Sequence, residues 1–201
     1  MSNIGQAKIL GGIGALLTLL IFIPNIGFVL SIVGLVLVFL AVKYIADETK
    51  DHSIFQNYLM NFIFYIIAIG AIIGIMILAF GVSGGMSWIT AIQPGDITDF
   101  SSFWESFGTL FIGCILAFLV AWIMLLIGAL YLKKSYDRIA EHTKVDLFKT
   151  TGLVNLIGAA TLIILIGAFI IIIAKILEIV SYFSLPENLP QKPQPPMPPT
   201  P

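Results

Sequence analysis

The chain contains several long apolar runs with no charge near their centres, and these runs constrain its fold more than any other feature. A membrane-spanning helix needs about 20 apolar residues to cross a hydrocarbon core about 30 Å thick. Four runs reach or nearly reach this length, and a fifth, shorter run lies near the N-terminus. We therefore predict an all-α integral membrane protein, a five-helix transmembrane bundle that begins with a helical hairpin. The predicted spans are residues 6–23, 26–46, 58–81, 107–133 and 152–176.

The composition agrees with lipid as the main solvent of the chain. Hydrophobic residues make up 59% of the sequence and charged residues 10%, whereas soluble domains carry about 25% charged residues. A net charge of −1 argues against a nucleic-acid partner, because binding to phosphates needs clustered Lys and Arg. The single cysteine, Cys114, lies in an apolar run and predicts neither a disulfide framework nor a thiolate metal site.

The segment "IFIPNIGF" decides how the apolar residues 9–42 cross the membrane. One straight helix of that length would extend about 51 Å, far more than the hydrocarbon core requires. Pro24 removes a helical hydrogen bond, and Asn25 and Gly27 suit a turn. We predict two antiparallel helices joined by a tight turn at these three residues. The first helix is short, about 27 Å at most, so a re-entrant first helix is an alternative to a full span.

The distribution of Lys and Arg predicts the orientation of the chain. Short cytoplasmic loops of membrane proteins carry an excess of these residues. They occur at Lys8, at the start of the first predicted span, and around residues 43–50 and 133–149, whereas residues 81–106 contain none. We predict a multi-pass protein of the cell (cytoplasmic) membrane with a cytoplasmic N-terminus. After five spans, the C-terminal tail would lie outside.

An internal similarity relates residues 46–61 to residues 140–155 without gaps. Identical residues include Thr and Lys at the start of each connection and Asn at its end. Each copy consists of a helix, a charged connection and a returning helix, so the repeat is parallel, a form that also occurs in transporters. Asn61 and Asn155 occupy equivalent positions and form a candidate polar intramembrane pair, either hydrogen-bonding between helices or contacting a solute.

Small residues recur at helix-packing spacing. Gly70 and Gly74 lie four apart in the third predicted helix, and a second stripe follows in the fourth helix at Gly113, Ala117 and Ala121. Small side chains at this spacing let helix backbones approach closely. We expect both stripes to pack within the chain, with dimerisation through one of them as the alternative.

The remaining segments flank the spans. Residues 81–106 begin with glycines and continue as an apolar stripe at helical spacing, which predicts an outer amphipathic helix at the membrane interface. The transmembrane domain is expected to occupy residues 1–185. Residues 186–201 are Pro-rich and predict a disordered, extended tail, with binding to an aromatic groove of a partner as the alternative.

Few residues could carry chemistry. Lys175 and Glu178 share one helix face, and we interpret them as a partly solvated ion pair that reaches the interface. His52 and His142 lie in equivalent connections among carboxylates, but no specific metal motif supports a site, and a solvated polar loop is the preferred interpretation. The sequence predicts no catalytic residue, no cofactor and no metal site.

Several segments together resemble a known family. They are the opening "MSNIGQAKILGGIGALL", the "IPNIGF" turn, the connection "KYIADETKDHSIFQNYL" and the Pro-rich tail. They resemble a family of small archaeal multi-pass membrane proteins described only as a domain of unknown function. The resemblance covers essentially the whole chain and implies an archaeal cytoplasmic membrane location. It implies no substrate, cofactor or catalytic residue.

The uncharged helices and the Pro-rich tail favour a non-enzymatic protein, a scaffold or accessory subunit of a membrane complex. Its expected partners are the lipid bilayer and either another membrane protein or a second copy of the chain. The alternative is a small-solute or ion transporter or channel built on the parallel hairpin repeat. An intramembrane enzyme is disfavoured because no paired nucleophile and base is visible in the sequence.

Overall fold

The computed structural model of the protein describes residues 3–82 and 100–189, and every α-helix named below lies in these ranges. The helices are α1 Asn3–Leu19, α2 Gly27–Thr49, α3 His52–Val82, α4 Phe100–Thr143, α5 Leu147–Thr161 and α6 Ile166–Phe183. Short 3₁₀ turns, Leu20–Phe22 and Leu162–Ile164, extend α1 and α5. The chain divides into unit 1, residues 1–61 with 129–201, and unit 2, residues 62–128.

Within residues 3–82 and 100–189, six helical segments are long and apolar enough to cross a membrane, whereas the sequence predicts five spans. The predicted span 152–176 is divided between α5 and α6, and Leu165, with φ of 62°, turns the chain back at the break. Gly158 and Gly167 explain how the returning helix fits, because a Cβ added at Gly167 would overlap the backbone oxygen of Gly158. Close packing of α5 against α6 thus offsets a left-handed leucine, which costs about 1–2 kcal/mol.

The first turn lies where the sequence predicts it. Ile23 is extended, as a residue before proline should be, and Asn25 has a positive φ of 68°. The backbone nitrogen of Gly27 donates to the oxygen of Ile23 at 2.9 Å, and α2 begins at Gly27. The segment 20–27 therefore joins two antiparallel helices.

Glycine contacts set the spacing of the helices in unit 1. A Cβ added at Gly14 would lie 2.7 Å from the oxygen of Gly34, so α1 and α2 touch through their backbones. A Cβ added at Gly12 would lie 2.6 Å from the ring of Phe183, and one at Gly11 would overlap the ring of Tyr182. Helix α1 therefore packs on α2 and α6, and no larger residue fits at these positions without a shift.

The core of unit 1 lies near the ends of the helices that carry most of the charged residues. Most of its largest fully buried side chains come from positions close to charged loops; they are Ile4, Ile45, Ile54, Tyr136, Ile139, Phe148, Tyr182 and Leu185. This core collects the start of α1, the end of α2, the start of α3, the end of α4, the start of α5 and the end of α6.

The two described ends of the chain lie in this one core. Ile4 and Leu185 are both fully buried there, and Tyr182 contacts Gly11. The turn at Leu165 reverses the last helix and returns Leu185 to the core that holds Ile4. The side of a membrane on which the N-terminus and the C-terminal tail lie stays a prediction. Residues 190–201, most of the Pro-rich tail, lie outside the described residues, as do residues 83–99 of the predicted outer segment. Phe100 onward belongs to α4.

The two copies of the internal repeat share their turn geometry. Lys50 and Lys144, at equivalent positions, both have positive φ, 57° and 59°. Their backbone nitrogens donate to the oxygens of Ala46 and Ala140, and the preceding threonines each bond to the oxygen four residues earlier. The similarity of sequence thus corresponds to a similarity of backbone, which supports a duplicated helical hairpin.

The glycine contacts predict which substitutions disturb the fold. Gly34→Ala should cost about 1–3 kcal/mol of unfolding free energy, because its Cβ meets the oxygen of Gly14 at 2.5 Å and backbone must move. Gly70→Ala is the matched control, since no atom of the described structure lies within 4 Å of a Cβ there. Unfolding of both variants in detergent micelles, followed by circular dichroism, measures the difference. An equal loss in both variants would contradict the proposed backbone contact.

Candidate functional site

A buried carboxylate lies on α6. Glu178 exposes 3% of its side chain, and its Oε2 accepts a hydrogen bond from Lys175 Nζ at 2.7 Å. Lys175 is one helical turn earlier and exposes 33% of its side chain. A buried charge is destabilising unless it is paired and hydrogen-bonded, so this pair must be held in place by its surroundings.

The second carboxylate oxygen of Glu178 is satisfied from another helix. The hydroxyl of Tyr136, on α4, donates to Glu178 Oε1 at 2.8 Å, and the Tyr136 ring is fully buried. Tyr58, on α3, is close enough to Glu178 for the two groups to interact electrostatically. The carboxylate thus links the last helix to the end of α4.

Tyr182 completes this buried polar cluster, which comprises Tyr58, Tyr136, Lys175, Glu178 and Tyr182. Its ring packs edge-on against Phe148 with centroids 5.2 Å apart, and Phe148 makes a similar contact with Tyr136 at 5.5 Å. The Tyr182 hydroxyl is buried without a hydrogen-bond partner within the described part of the chain. A fully buried hydroxyl of this kind is costly, because it loses its hydrogen bonds to water.

The sequence interpretation of Lys175 and Glu178 as a partly solvated pair is corrected for Glu178, whose side chain is buried against α4. Sequence reasoning missed the three tyrosines of the cluster. One signal could have found Tyr182, because positions 175, 178 and 182 follow one face of a helix at spacings of three and four. Nothing local points to Tyr136, because only the turn at Leu165 brings α6 back to α4.

Smaller polar contacts surround the cluster. The hydroxyls of Thr151 and Ser181 lie 3.0 Å apart between α5 and α6. The Ser135 hydroxyl donates to the backbone oxygen of Ile54 at 2.8 Å and ties α4 to α3. All these side-chain hydroxyls are buried and bonded, so they lock helices together.

The predicted polar pair, Asn61 and Asn155, is not joined by a hydrogen bond in the described structure, and both side chains are partly exposed. Helices α5 and α6 are antiparallel: Thr151 contacts Ser181, and Gly158 contacts Ile171. Between these two contacts, Asn155 lies at about the same position along the hairpin as Lys175. A role for the two asparagines in solute contact therefore stays a prediction.

The predicted helix-packing residues differ in their surroundings. Ala117 and Ala121 are buried within unit 2, each with 3% exposure, whereas Gly113 is partly exposed. A Cβ added at Gly70 or Gly74 meets no described atom within 4 Å. Glycines in α1, α2, α5 and α6 do touch neighbouring helices, among them Gly14, Gly34, Gly158 and Gly167.

A second polar contact lies outside the helices at the charged end. His142 Nε2, at the end of α4, lies 3.1 Å from Asp51 Oδ2 in the turn between α2 and α3. Partial burial raises the pKa of Asp51, but hydrogen bonds from Ser53 and His142 outweigh it and bring that pKa below its ordinary value of 3.8. His52 is exposed, and the residues that the structure describes contain no group of three metal ligands.

The buried ion pair predicts that removing the charge of Lys175 alone destabilises the fold more than removing the charges of Lys175 and Glu178 together. Lys175→Met should cost about 3 kcal/mol of unfolding free energy, because it leaves the Glu178 carboxylate buried and uncompensated. Adding Glu178→Gln to that variant should restore part of the loss. The control is Lys149→Met, since Lys149 lies 3.7 Å from an exposed Asp146 and such pairs contribute at most about 1 kcal/mol. Equal losses in the two lysine variants, measured in mixed micelles, would refute the buried pair.

The Asp51 contact predicts a dependence on acid pH. Because its pKa is lowered in the folded state, the carboxylate stabilises the fold above pH 3.8, and this stabilisation is lost as pH falls through the folded pKa. The difference in melting temperature between the wild type and Asp51→Asn should therefore be fully present at pH 6 and shrink below pH 4. A difference that stays constant from pH 6 to pH 3 would show that Asp51 does not act through its charge.

Comparison with known proteins places the chain among proteins whose function is unknown. Residues 30–176 match the family described as "Protein of unknown function (DUF996)". An uncharacterized protein of the archaeon Methanocaldococcus jannaschii is 38% identical over 184 residues, which cover 92% of this chain and 94% of the relative. No solved structure matches the chain. The extent of both matches shows that the chain belongs to the DUF996 family, whose function is unknown.

Proposed function

We propose that this protein is a non-enzymatic integral membrane protein that serves as a scaffold or accessory subunit of a membrane complex. The observation that carries the proposal is the buried carboxylate of Glu178. Lys175 holds one of its oxygens and Tyr136 the other, both within unit 1. A carboxylate bonded on both oxygens holds α4 and α6 in one relative orientation, and we call this arrangement of Tyr136, Lys175 and Glu178 the lock.

The packing around this lock supports the same role. Backbone contacts at Gly14 and Gly34 join α1 to α2, and Gly158 and Gly167 join α5 to α6. Interfaces of this kind are typical of tightly packed membrane helices and leave little room between them. A rigid unit with its charged residues gathered at one end offers a fixed surface to a partner subunit or to a second copy of the chain.

We further propose that this charged end faces the cytoplasm and that the protein lies in the cell membrane. In the described structure Lys and Arg gather near the core of unit 1, at Lys8, Lys43, Lys50, Lys133, Lys134, Arg138, Lys144, Lys149 and Lys175. The positive-inside rule assigns such an end to the cytoplasm. Both described ends of the chain would then be cytoplasmic, in place of the predicted outer C-terminus.

A transporter of protons or small cations is the second candidate function. The observation that favours it is a carboxylate in a helix apolar enough to cross a membrane, together with the unpartnered hydroxyl of Tyr182. Ionisable groups within membrane segments often mark ion pathways. The parallel repeat, with Asn61 and Asn155 at equivalent positions, agrees with this alternative.

Recovery of the protein from its native membrane in mild detergent tests the scaffold role. We expect a complex of fixed stoichiometry, containing either another membrane protein or further copies of this chain. Lys175→Met should weaken that complex because it loosens the lock, whereas Lys149→Met should leave it intact. Recovery as a lone monomer from lipid-retaining detergent would contradict the scaffold role.

Flux into liposomes distinguishes the two functions. Purified protein in vesicles loaded with a pH-sensitive dye should conduct protons no faster than protein-free vesicles do. Proton flux that Glu178→Gln abolishes, while the helical content is unchanged, would favour the transporter. Solute flux that is insensitive to Asn61→Leu with Asn155→Leu would exclude those asparagines from any transport path.

A further inference from the structure

The two helical hairpins, α1–α2 and α5–α6, differ from α3 and α4 in the length of helix that carries no charge. From Lys8, α1 and its 3₁₀ turn extend about 23 Å to Phe22, and α2 extends about 24 Å between Gly27 and Lys43. From Lys149, α5 and its 3₁₀ turn extend about 24 Å. All three lengths are shorter than a hydrocarbon core of about 30 Å.

The uncharged part of helix α6 is shorter still. Its first residue, Ile166, is about 14 Å from Lys175 along the helix axis. If the hairpin crossed the bilayer, Lys175 and Glu178 would lie near the bilayer centre, where a charge costs several kcal/mol. If the hairpin ended within the bilayer, the same pair would lie at the depth of the headgroups.

Neighbouring contacts place the pair at that shallower depth. A Cβ added at Gly152, on α5, would lie 3.1 Å from the Cα of Lys133, and Tyr136, one turn later on α4, bonds to Glu178. Lys134 is exposed and lies over the ring of Tyr131, 5.1 Å from its centroid. Exposed lysine beside tyrosine is typical of the membrane interface, so Glu178 lies level with that interface.

Helices α3 and α4 have the length that the hairpins lack. The apolar part of α3 from Tyr58 to Phe80 extends about 33 Å, and α4 from Gly108 to Lys133 extends about 38 Å. The connection between them carries Trp88, Asp96 and Asp99, residues suited to water and the interface. These two helices therefore suit full spans.

The tips of the hairpins are apolar. Phe22 and Phe28 flank the first turn with exposures of 72% and 69%, and Leu165 and Phe169 lie at the second with 73% each. These are the four most exposed large apolar side chains among those whose exposure the structure describes. Such side chains are stable in contact with acyl chains and unfavourable in water.

The turn backbones are largely satisfied from within, which a turn surrounded by hydrocarbon requires. In the first turn, the nitrogens of Ile23, Ile26 and Gly27 all donate to backbone oxygens of the turn, and Pro24 has no N–H. In the second turn, the nitrogen of Leu165 donates to the oxygen of Leu162 at 2.9 Å.

From these lengths and exposures we infer that α1–α2 and α5–α6 are re-entrant hairpins that end inside the bilayer, and that only α3 and α4 cross it. The surface of the hairpin tips binds the acyl chains of one leaflet, the leaflet at the charged end of unit 1. The protein is then a two-span anchor that inserts two apolar wedges into a single leaflet. This inference adds to the proposed function how the protein sits in the membrane. It rests on one part of that proposal, the location in a membrane.

Cysteine labelling in proteoliposomes tests the inference. All variants carry Cys114→Ala, which removes the only native thiol. The tip variants are Phe22→Cys and Ile164→Cys. The controls are Gly81→Cys, at the end of α3 where a Cβ meets no described atom within 4 Å, and His52→Cys, exposed at its start. The probe is a charged, membrane-impermeant maleimide added outside or trapped inside.

We expect the two controls to react with the probe from opposite sides of the membrane. Both tip variants should react at least tenfold more slowly than the controls, whichever side the probe is on. Denaturation in SDS should make the tip cysteines reactive. A nitroxide attached at the tip positions should be more accessible to oxygen than to a water-soluble nickel complex. Reaction of the tip variants from the side that labels Gly81→Cys would overturn the inference, since the hairpins would then cross. Reaction of both controls from one side would overturn it too. Neither result depends on the complex that tests the scaffold role.

Discussion

The reversal of the chain at Leu165 is the feature on which the arrangement of unit 1 depends. A left-handed leucine is unfavourable by itself, and it persists because Gly158 and Gly167 let α5 and α6 pack backbone against backbone. The reversal returns the last helix to the charged end. There, Tyr182 meets Gly11 and Glu178 meets Tyr136, so one turn creates both the contact with α1 and the buried polar cluster.

The buried cluster illustrates how a charge is tolerated among apolar side chains. Glu178 is bonded on both oxygens, and its partners come from α6 and α4. Such a pair adds little net stability compared with apolar residues, but removing one partner is costly. It therefore specifies one arrangement of helices over others, which suits a protein whose proposed role is to hold a fixed shape in the membrane.

The duplicated connections show how similar turns can serve different contacts. Both place a lysine in the left-handed conformation after a threonine bonded to its own helix. The first connection contributes Asp51, which pairs with His142 at the end of the helix that precedes the second connection. The two copies thus join at the charged end, where a change of pH acts on Asp51.

The sequence by itself determined the helical class, the presence of helices apolar enough to cross a membrane, the family and the turn at Pro24, Asn25 and Gly27. These follow from local causes: uncharged apolar runs require lipid, and proline with asparagine interrupts a helix. It predicted one last helix instead of two, because "LIILIG" contains no proline or asparagine to mark a turn. Only the tertiary structure decided that break, the burial of Glu178 and its pairing with Tyr136, because each depends on glycine contacts between helices distant in the chain.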